Sequence, residues 1–266
     1  MSKGFTVVTG ACGGIGAAVV RRLLDEGYNV IGLDLRDNGF AAPGYTFLRT
    51  DITDSDSVRR SFEAVSGLTD SLAGIVNTAG IVFIGSLVEE DAELMQKILD
   101  VNVSGMARVN RVFFPLIEAG KGRFVNFSSE YGRFCSIPFH GYYTASKHAV
   151  ERYTDSLRRE MNYLGIRVVG IRPGAVNTSM TSGTVPAFER IMQTTTHFEK
   201  SYRTLSPLMV GATKHPTEPE VIADAVLRAM TKKRPRRYYN IRQDVRVKLL
   251  SALPAGLTDF IFKHFI

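Results

Sequence analysis

The chain of 266 residues is 44% hydrophobic and 22% charged and has a net charge of +7, a composition that excludes disordered, collagen-like and coiled-coil proteins. Its two cysteines, Cys12 and Cys135, lack the spacing of a metal site or a disulfide framework, so we expect no metal and a reduced, cytoplasmic setting. No apolar stretch reaches the roughly 18 residues that cross a bilayer.

Short apolar strands alternate with amphipathic helices along most of the chain. The predicted strands are Phe5 to Thr9, Asn29 to Leu33, Thr46 to Leu48, Gly74 to Val76, Arg123 to Phe127, Ile166 to Ile171 and Arg237 to Ile241. The predicted helices include Ala17 to Glu26, Ser55 to Val65, Ala92 to Glu118 and Lys147 to Tyr163. This alternation predicts an α/β fold: one doubly wound (Rossmann-type) domain over residues 1–266, with a mostly parallel sheet and helices on both faces. Another helix is expected near Pro219, with Thr217 as its N-cap and Glu220 completing a capping box.

A glycine-rich turn, Thr9-Gly10-Ala11-Cys12-Gly13-Gly14-Ile15-Gly16, follows the first predicted strand. Glycines let the backbone turn tightly, and they let a pyrophosphate approach the N-terminus of the next helix, where N–H groups are unpaired. The spacing fits either G-x-x-x-G-x-G or G-x-x-G-x-x-G, and both suit a dinucleotide. The turn therefore predicts cofactor contacts from Gly10, Gly14, Ile15 and Gly16.

Asp34 ends the second predicted strand, 20 positions after Gly14. An acidic side chain there accepts hydrogen bonds from the adenosine ribose hydroxyls and repels a 2′-phosphate, which favours NAD over NADP. Arg36 could instead pair with such a phosphate, so NADP remains the less favoured cofactor. A third interpretation is that Asp34 only caps a loop.

The stretch Tyr143-Thr144-Ala145-Ser146-Lys147 places a phenol and an ammonium four residues apart, on one face of a helix. A cation roughly 4 Å from a phenol, at an effective dielectric of ~20, contributes ~4 kcal/mol, or about three pKa units. Lys147 would thus bring the pKa of Tyr143 close to neutrality, where a tyrosine gives or takes a proton efficiently. Taken alone, the pair also fits an ordinary helix surface.

With these features, further motifs resemble the short-chain dehydrogenase/reductase family over about Gly4 to Ile241. In chain order they are Asp51-Ile52, Asn77-Thr78-Ala79-Gly80, Asn102, Ser128-Ser129, Pro173-Gly174 and Val176-Asn177-Thr178. The resemblance implies an adenine contact from Asp51 and Ile52, a cofactor-binding turn at Asn77, and a carboxamide contact from Thr178.

For the chemistry, the resemblance implies a catalytic set of Asn102, Ser129, Tyr143 and Lys147. Ser129 would stabilise charge on the substrate oxygen. Tyr143 would act as the acid or base and also contact the cofactor, Lys147 would also hold the nicotinamide ribose, and Asn102 would support a proton relay.

One spacing departs from the family pattern. The family usually has its serine 13 residues before the tyrosine, whereas Ser129 lies 14 before Tyr143 and the residue at the usual spacing is Glu130. Tyr142 would restore the spacing, but the residue four positions after it is Ser146. We therefore place one extra residue in the intervening loop and keep Tyr143. His140 and Cys135 in that loop are candidate pocket residues.

Two apolar segments bear on the substrate. Residues 179–216 occupy the position of the family's substrate lid, and their aromatic and methionine side chains suit a bulky hydrophobic substrate or simply close the core. Residues 244–266 form an apolar extension that could cover the pocket, pack against a second subunit or make peripheral contact with a membrane. The basic stretch 232–237 could attract nucleic acid, anionic lipid or an acidic carrier, or be a solvated loop, and no nucleic-acid motif accompanies it.

The leading hypothesis is an oxidoreductase that transfers hydride between NAD(H) and a hydroxysteroid, retinoid or similar lipid. The apolar extension and Ser156-Leu157-Arg158-Arg159-Glu160 resemble the retinol and hydroxysteroid dehydrogenase branch, and the family implies a homodimer or homotetramer. Alternatives are a 3-oxoacyl-carrier-protein reductase and a non-catalytic dinucleotide-sensing protein. A sugar-nucleotide epimerase would usually need a larger C-terminal domain.

Overall fold

A seven-stranded parallel sheet organises residues 2–134, 136–212 and 215–264, which are those that the computed structural model describes. The strands are β1 (Phe5–Thr9), β2 (Asn29–Asp34), β3 (Tyr45–Arg49), β4 (Leu72–Asn77), β5 (Arg123–Phe127), β6 (Arg167–Pro173) and β7 (Tyr238–Ile241). Their order across the sheet is β3-β2-β1-β4-β5-β6-β7, and every pairing among them is parallel. The strand order thus reverses between β1 and β4: β2 and β3 are added on one side of β1, and β4 to β7 are added on the other.

Helices cover both faces of this sheet. They are α1 (Gly14–Asp25), α2 (Ser55–Ser66), α3 (Glu93–Leu99), α4 (Met106–Gly120), α5 (Gly141–Tyr163), α6 (Ser179–Ser182), α7 (Thr184–Thr194), α8 (Glu199–Ala212), α9 (Pro219–Thr231), α10 (Val245–Leu250) and α11 (Ala255–His264). A π-helical turn spans Asp100–Gly105 and a 3₁₀ turn spans Glu130–Gly132. No helix among the described residues is long and apolar enough to cross a membrane.

The central strand β1 is buried on both of its faces. Val7 and Val8 point to opposite faces and are both fully buried, Val8 against α1 and α9 and Val7 against α2 and α4. A strand covered on both faces carries apolar residues at adjacent positions rather than only at alternate ones. The predicted doubly wound fold with helices on both faces is confirmed.

Two of the predicted helices differ markedly from the structure. Helix α5 begins at Gly141 rather than Lys147, so Tyr143 and Lys147 lie on the same helix. The predicted helix Ala92 to Glu118 is interrupted by the π-helical turn at Asp100–Gly105, a rare conformation that is frequent at functional sites.

The capping box predicted for α9 is wrong. Glu218 is the N-cap residue and makes no side-chain capping bond, and Pro219 begins the helix, where its fixed φ and missing N–H are tolerated. Thr217 instead pairs with Val176 in an isolated parallel bridge, with its N–H donated to the carbonyl of Ala175. This bridge fixes the chain that enters the lid region beside the chain that leaves it.

A third apolar cluster lies apart from the sheet and joins the lid region to the C-terminal extension. It contains Phe188, Ile191, Tyr202 and Leu205 from α7 and α8 together with Val247 from α10. These large side chains close a core of their own, and that core forms an outer wall of the candidate site. Leu208, Met209, Val210, Phe265 and Ile266, also predicted to contribute apolar groups here, have side chains outside the described residues.

Candidate active site

A cleft opens at the carboxyl ends of β1, β2 and β4, where the strand order reverses. Clefts at such a reversal are where doubly wound sheets bind dinucleotides. The sequence-predicted cofactor residues that line it are Gly10, Gly14, Ile15, Gly16, Asp34, Asp51, Ile52 and Thr178. The fold therefore brings together residues that lie up to 168 positions apart in the sequence.

The glycine turn has no room for side chains. Gly10 has φ +65°, and a Cβ at Gly16 would clash with the carbonyl oxygen of Gly10. A Cβ at Gly14 would lie 2.6 Å from the Thr178 Cγ2 atom. No side chain caps the N-terminus of α1 at Gly13. This bare turn before an uncapped helix fits the pyrophosphate of a dinucleotide.

Asp34 lines the adenosine end of the cleft and also holds the glycine turn. Its Oδ2 accepts the backbone N–H of Cys12 at 2.9 Å, and its Oδ1 accepts that of Arg36 at 3.5 Å. Asp34 therefore caps this loop, as one interpretation of the sequence has it, and the same carboxylate borders the cleft. Asp51 is held by Thr53, whose N–H and hydroxyl donate to Asp51 Oδ1 at 2.8 and 2.7 Å.

The side chain of Asn77 does not line the cleft where the sequence predicts a cofactor contact. Its amide donates to Asn110 Oδ1 at 2.8 Å and to Asn126 Oδ1 at 2.9 Å, and only 3% of the residue is exposed. Because a buried amide must satisfy its donors, Asn77 ties β4 to β5 and α4. A cofactor contact from Asn77 stays a prediction.

Ser129, Tyr143 and Lys147 line a second pocket beside the cleft. Ile15, Thr78 and Thr178 border both spaces, so the pocket and the cleft are continuous. The proposed reacting groups therefore stand where a nicotinamide and a substrate could meet.

Lys147 and Asn102 face the same small space. The Lys147 ammonium donates to the Phe127 carbonyl at 3.1 Å, and a Cβ at Gly80 would lie 3.5 Å from this ammonium and 3.1 Å from Asn102 Oδ1. The Asn102 amide exchanges two hydrogen bonds with the Ile81 backbone, at 2.8 and 2.9 Å. Asn102 also donates to a hydroxyl of α5, at Ser146, at 2.9 Å. These bonds fix the Asn102 side chain between the Ile81 backbone and α5, and its part in a proton relay stays a prediction.

The electrostatics of the pair differ from the sequence prediction. Burial raises the pKa of Tyr143 to about 12, although its hydrogen bond with Ser129 opposes this. Burial also lowers the pKa of Lys147 to about 8, against the attraction of Glu151. The ammonium lies 5.6 Å from the centroid of the tyrosine ring. The prediction that Lys147 brings the Tyr143 pKa close to neutrality is therefore wrong for the protein alone, because desolvation dominates.

The neighbouring tyrosine is oriented elsewhere. The Tyr142 ring packs edge-on against Phe83, with centroids 5.9 Å apart, and Tyr142 is not among the residues lining the pocket. Of the two adjacent tyrosines, Tyr143 is the one that borders the pocket with Ser129.

A buried ion pair supports this helix. Arg172 of β6 donates to the two carboxylate oxygens of Glu151 at 2.8 and 2.5 Å. A Cβ at Gly132 would lie 3.0 Å from Glu151 Cγ and 2.8 Å from the Lys147 carbonyl oxygen. The glycine three residues after Ser129 therefore allows the serine turn to pack directly on α5.

The sequence prediction missed Glu130 and Tyr131, which line the pocket along with the anticipated His140. The available signal was a carboxyl group between Ser129 and Gly132, at a strand end that otherwise carries small residues. Cys135, the other candidate pocket residue, lies outside the described residues.

The sequence model of the short chain dehydrogenase family matches residues 5–188. The chain belongs to the short-chain dehydrogenase/reductase family. Its members are oxidoreductases that use NAD(P), and the resemblance drawn from the motifs is confirmed.

Curated relatives extend this match over the whole chain. The mouse short-chain dehydrogenase/reductase family 9C member 7 is 29% identical, covering 100% of this chain and 91% of its own. Human 17-beta-hydroxysteroid dehydrogenase type 6 is 30% identical over 97% of this chain and 87% of its own. Human retinol dehydrogenase 16 is 37% identical over 67% of this chain and 58% of its own.

Solved structures share the fold. A short-chain dehydrogenase from Burkholderia cenocepacia, in complex with NADP, superposes with a TM-score of 0.75 at 21% identity, covering 98% of this chain and 97% of that one. The ligand-free aldohexose dehydrogenase of Thermoplasma acidophilum gives 0.74 at 24% identity, covering 91% and 93%. At these identities the likeness concerns the fold alone.

Proposed function

We propose that this short-chain dehydrogenase/reductase transfers hydride between NAD(H) and the carbinol or carbonyl carbon of a hydrophobic alcohol or ketone. The observation that carries the proposal is the single pocket shared by Ser129, Tyr143 and Lys147, which is continuous with the dinucleotide cleft. A dinucleotide-sensing protein would have no use for these groups beside the cleft.

The bound nicotinamide supplies or accepts the hydride. The Ser129 hydroxyl hydrogen-bonds the substrate oxygen and stabilises the charge that develops there. With a pKa of about 12, the Tyr143 phenol is protonated at neutral pH, so it holds the proton that a ketone takes up on reduction, but it is a weak acid whose phenolate has to be stabilised as it forms. Lys147, with a pKa of about 8, remains largely cationic there and stabilises the phenolate that forms.

For the cofactor we propose NAD, with NADP less favoured. The support is the Asp34 carboxylate, held at the cleft by Cys12, since a fixed negative charge disfavours a 2′-phosphate. Arg36 is exposed beside it and keeps the alternative open. Fluorescence titrations should give tighter binding of NADH than of NADPH, and Asp34→Ala should reduce that ratio. Equal affinities in the unaltered protein would refute the preference.

For the substrate we propose a hydroxysteroid, a retinoid or a similar lipid. The pocket walls opposite the polar groups are apolar, including Val82, Ile84 and Met180. The likeness to a hydroxysteroid dehydrogenase and a retinol dehydrogenase adds support. Residues 179–216 would act as the lid, since α7 and α8 contribute to the third apolar cluster beside this wall.

The extension 244–266 is proposed to cover this wall and to contact a membrane peripherally. Val247 packs inward, whereas Val245 and Leu249 are each 64% exposed on the same helix, next to Lys248. Such a face suits an anionic lipid surface. Sedimentation with phosphatidylserine vesicles should capture the protein, and Leu249→Glu should reduce capture. The homodimer or homotetramer and the cytoplasmic location stay predictions.

A spectrophotometric panel tests the activity. Steroid, retinoid and acyl-thioester substrates are each offered with NAD(H) and NADP(H), and the absorbance of the reduced nicotinamide is followed. The proposal expects turnover of a lipid alcohol or ketone with NAD(H). Exclusive turnover of acyl thioesters with NADPH would select the 3-oxoacyl-carrier-protein reductase. Cofactor binding without turnover of any substrate would select the sensor.

A further inference from the structure

The substrate pocket contains a carboxyl group that the hydride-transfer chemistry does not use. Glu130 lies in the 3₁₀ turn directly after Ser129, is 5% exposed and lines the pocket. Its Oε2 accepts the backbone N–H of Asp244 at 2.6 Å. This is the one hydrogen bond that the Glu130 side chain makes among the residues that the structure describes. A carboxyl group has capacity for more hydrogen bonds than this.

Among the described residues, no cation is paired with this carboxyl group. The Arg246 charge lowers its pKa, but the guanidinium itself is bound to the Asp244 carboxylate at 2.6 Å. Lys147, the one lysine or arginine among the described residues lining the pocket, donates to the backbone of β5. Burial accordingly raises the pKa of Glu130 to about 7, so the group is neutral in part of the population and a desolvated anion in the rest.

The His140 ring lines the same pocket without offering it a free nitrogen at Nδ1. His140 is 4% exposed, and its Nδ1, which has no hydrogen-bond partner within the described part of the chain, is fully buried. Its ring stacks on Tyr131, with centroids 5.4 Å apart and an interplanar angle of 17°. Burial lowers the pKa of His140 to about 4, more than the Pro138 carbonyl raises it, so the imidazole is neutral at pH 7.

We propose that the Glu130 carboxyl group forms a polar subsite that binds a second, uncharged oxygen function of the substrate, a hydroxyl or an oxo group, and that it turns away anionic substrates. This inference rests on the proposed function and names the substrate class more closely: a neutral lipid with two oxygen functions. Buried polar groups without partners discriminate strongly, because a ligand lacking the matching group leaves them unsatisfied. A carboxylate or phosphate ester would add a second negative charge beside this buried carboxyl group.

Equilibrium binding tests the subsite without requiring turnover. Isothermal titration of the full chain with bound NAD⁺, which has no hydride to give to a ketone, would compare a steroid hydroxyketone, the matched monoketone that lacks the hydroxyl, and a steroid carboxylate of similar size. The variants are Glu130→Leu, which removes the polar group, and Glu130→Gln, which keeps an acceptor for the Asp244 N–H. Glu118→Gln, an exposed glutamate at the end of α4, is the matched control.

The hydroxyketone should bind the unaltered protein about tenfold more tightly than the monoketone, the loss expected for one hydrogen bond. Glu130→Leu should reduce that ratio to about one, and Glu130→Gln should keep it while binding the carboxylate about tenfold more tightly than the unaltered protein does. Glu118→Gln should change nothing. Melting curves identify any variant that fails to fold. If Glu130→Leu fails to fold, Glu130→Gln still tests the effect of the charge.

Two outcomes would overturn the subsite. Equal binding of hydroxyketone and monoketone by the unaltered protein, with hydride transfer intact, would refute this inference alone. A preference that survives in Glu130→Leu would do the same. Failure of every steroid to bind the unaltered protein would refute the subsite together with the proposed lipid substrate.

Discussion

Replacing Glu130 with glutamine should change how the stability of the protein depends on pH. The carboxyl group has an ordinary pKa of 4.5 in the unfolded chain and about 7 in the folded one, because burial outweighs the Asp244 hydrogen bond and the Arg246 charge that lower it. Between these values the unfolded chain releases the proton and the folded chain retains it. The free energy of unfolding therefore falls as pH rises through this window and becomes level above about pH 7.

The difference between the two pKa values corresponds to about 3 kcal/mol. For a domain of this size, that is roughly 6 °C in melting temperature. Glutamine keeps the carbonyl acceptor for the Asp244 N–H at 2.6 Å but has no proton to lose. Glu130→Gln should therefore lack this component of the pH dependence.

Melting temperatures measured by calorimetry from about pH 5 to about pH 8 test the reasoning. Other titrating groups affect both proteins, so the difference between the two curves isolates residue 130. It should grow in favour of Glu130→Gln as pH rises, while Glu118→Gln follows the unaltered protein. Parallel curves for the protein and Glu130→Gln would show that the carboxyl group ionises normally and would refute its burial as described.

Three other changes test the cleft, the lid and the support of the helix. Gly16→Ala should weaken NADH binding by at least about tenfold in fluorescence titrations, because its Cβ would clash with the glycine turn. The control Gly256→Ala, whose new Cβ has no atom within 4 Å, should bind NADH normally. Glu89 accepts hydrogen bonds from residues 195–197, which lower its pKa to about 2 and hold the proposed lid in place. Glu89→Gln should therefore raise the KM for substrate about fivefold with little change in kcat, and an unchanged KM would contradict that role. Glu151→Gln leaves the buried Arg172 without a counter-charge and should lower the free energy of unfolding, measured with denaturant, by about 3 to 5 kcal/mol. A decrease below about 1 kcal/mol would show that the pair is not desolvated.

Much of the fold could be predicted from the sequence because local pattern and tertiary demand agree in the sheet. Strands such as Phe5–Thr9 carry apolar residues at adjacent positions, as burial on both faces requires. The start of α9 was predicted wrongly because Thr217 satisfies a capping pattern, yet its backbone is used in a bridge to Val176. A local motif cannot reveal that a distant segment will occupy the same residue.

The candidate site also combines features that the sequence predicts with features that depend on the assembled fold. The spacing of Tyr143 and Lys147 shows that they share a helix face, but their pKa values depend on desolvation by residues from many elements, which spacing does not encode. The amide of Asn77 belongs to a family motif, and its burial against Asn110 and Asn126 appears only when β4, β5 and α4 are assembled.

The central claim is that the Tyr143 phenol transfers the proton while hydride moves, and two adjacent tyrosines offer a matched test. Single-turnover oxidation of NADH, followed by the absorbance of the reduced nicotinamide with a ketone from the panel, would compare Tyr143→Phe with Tyr142→Phe. Tyr143→Phe should bind NADH normally yet transfer hydride about 10²-fold more slowly or worse, whereas Tyr142→Phe, whose ring packs on Phe83, should keep most of its rate. An unaltered rate in Tyr143→Phe would contradict the account.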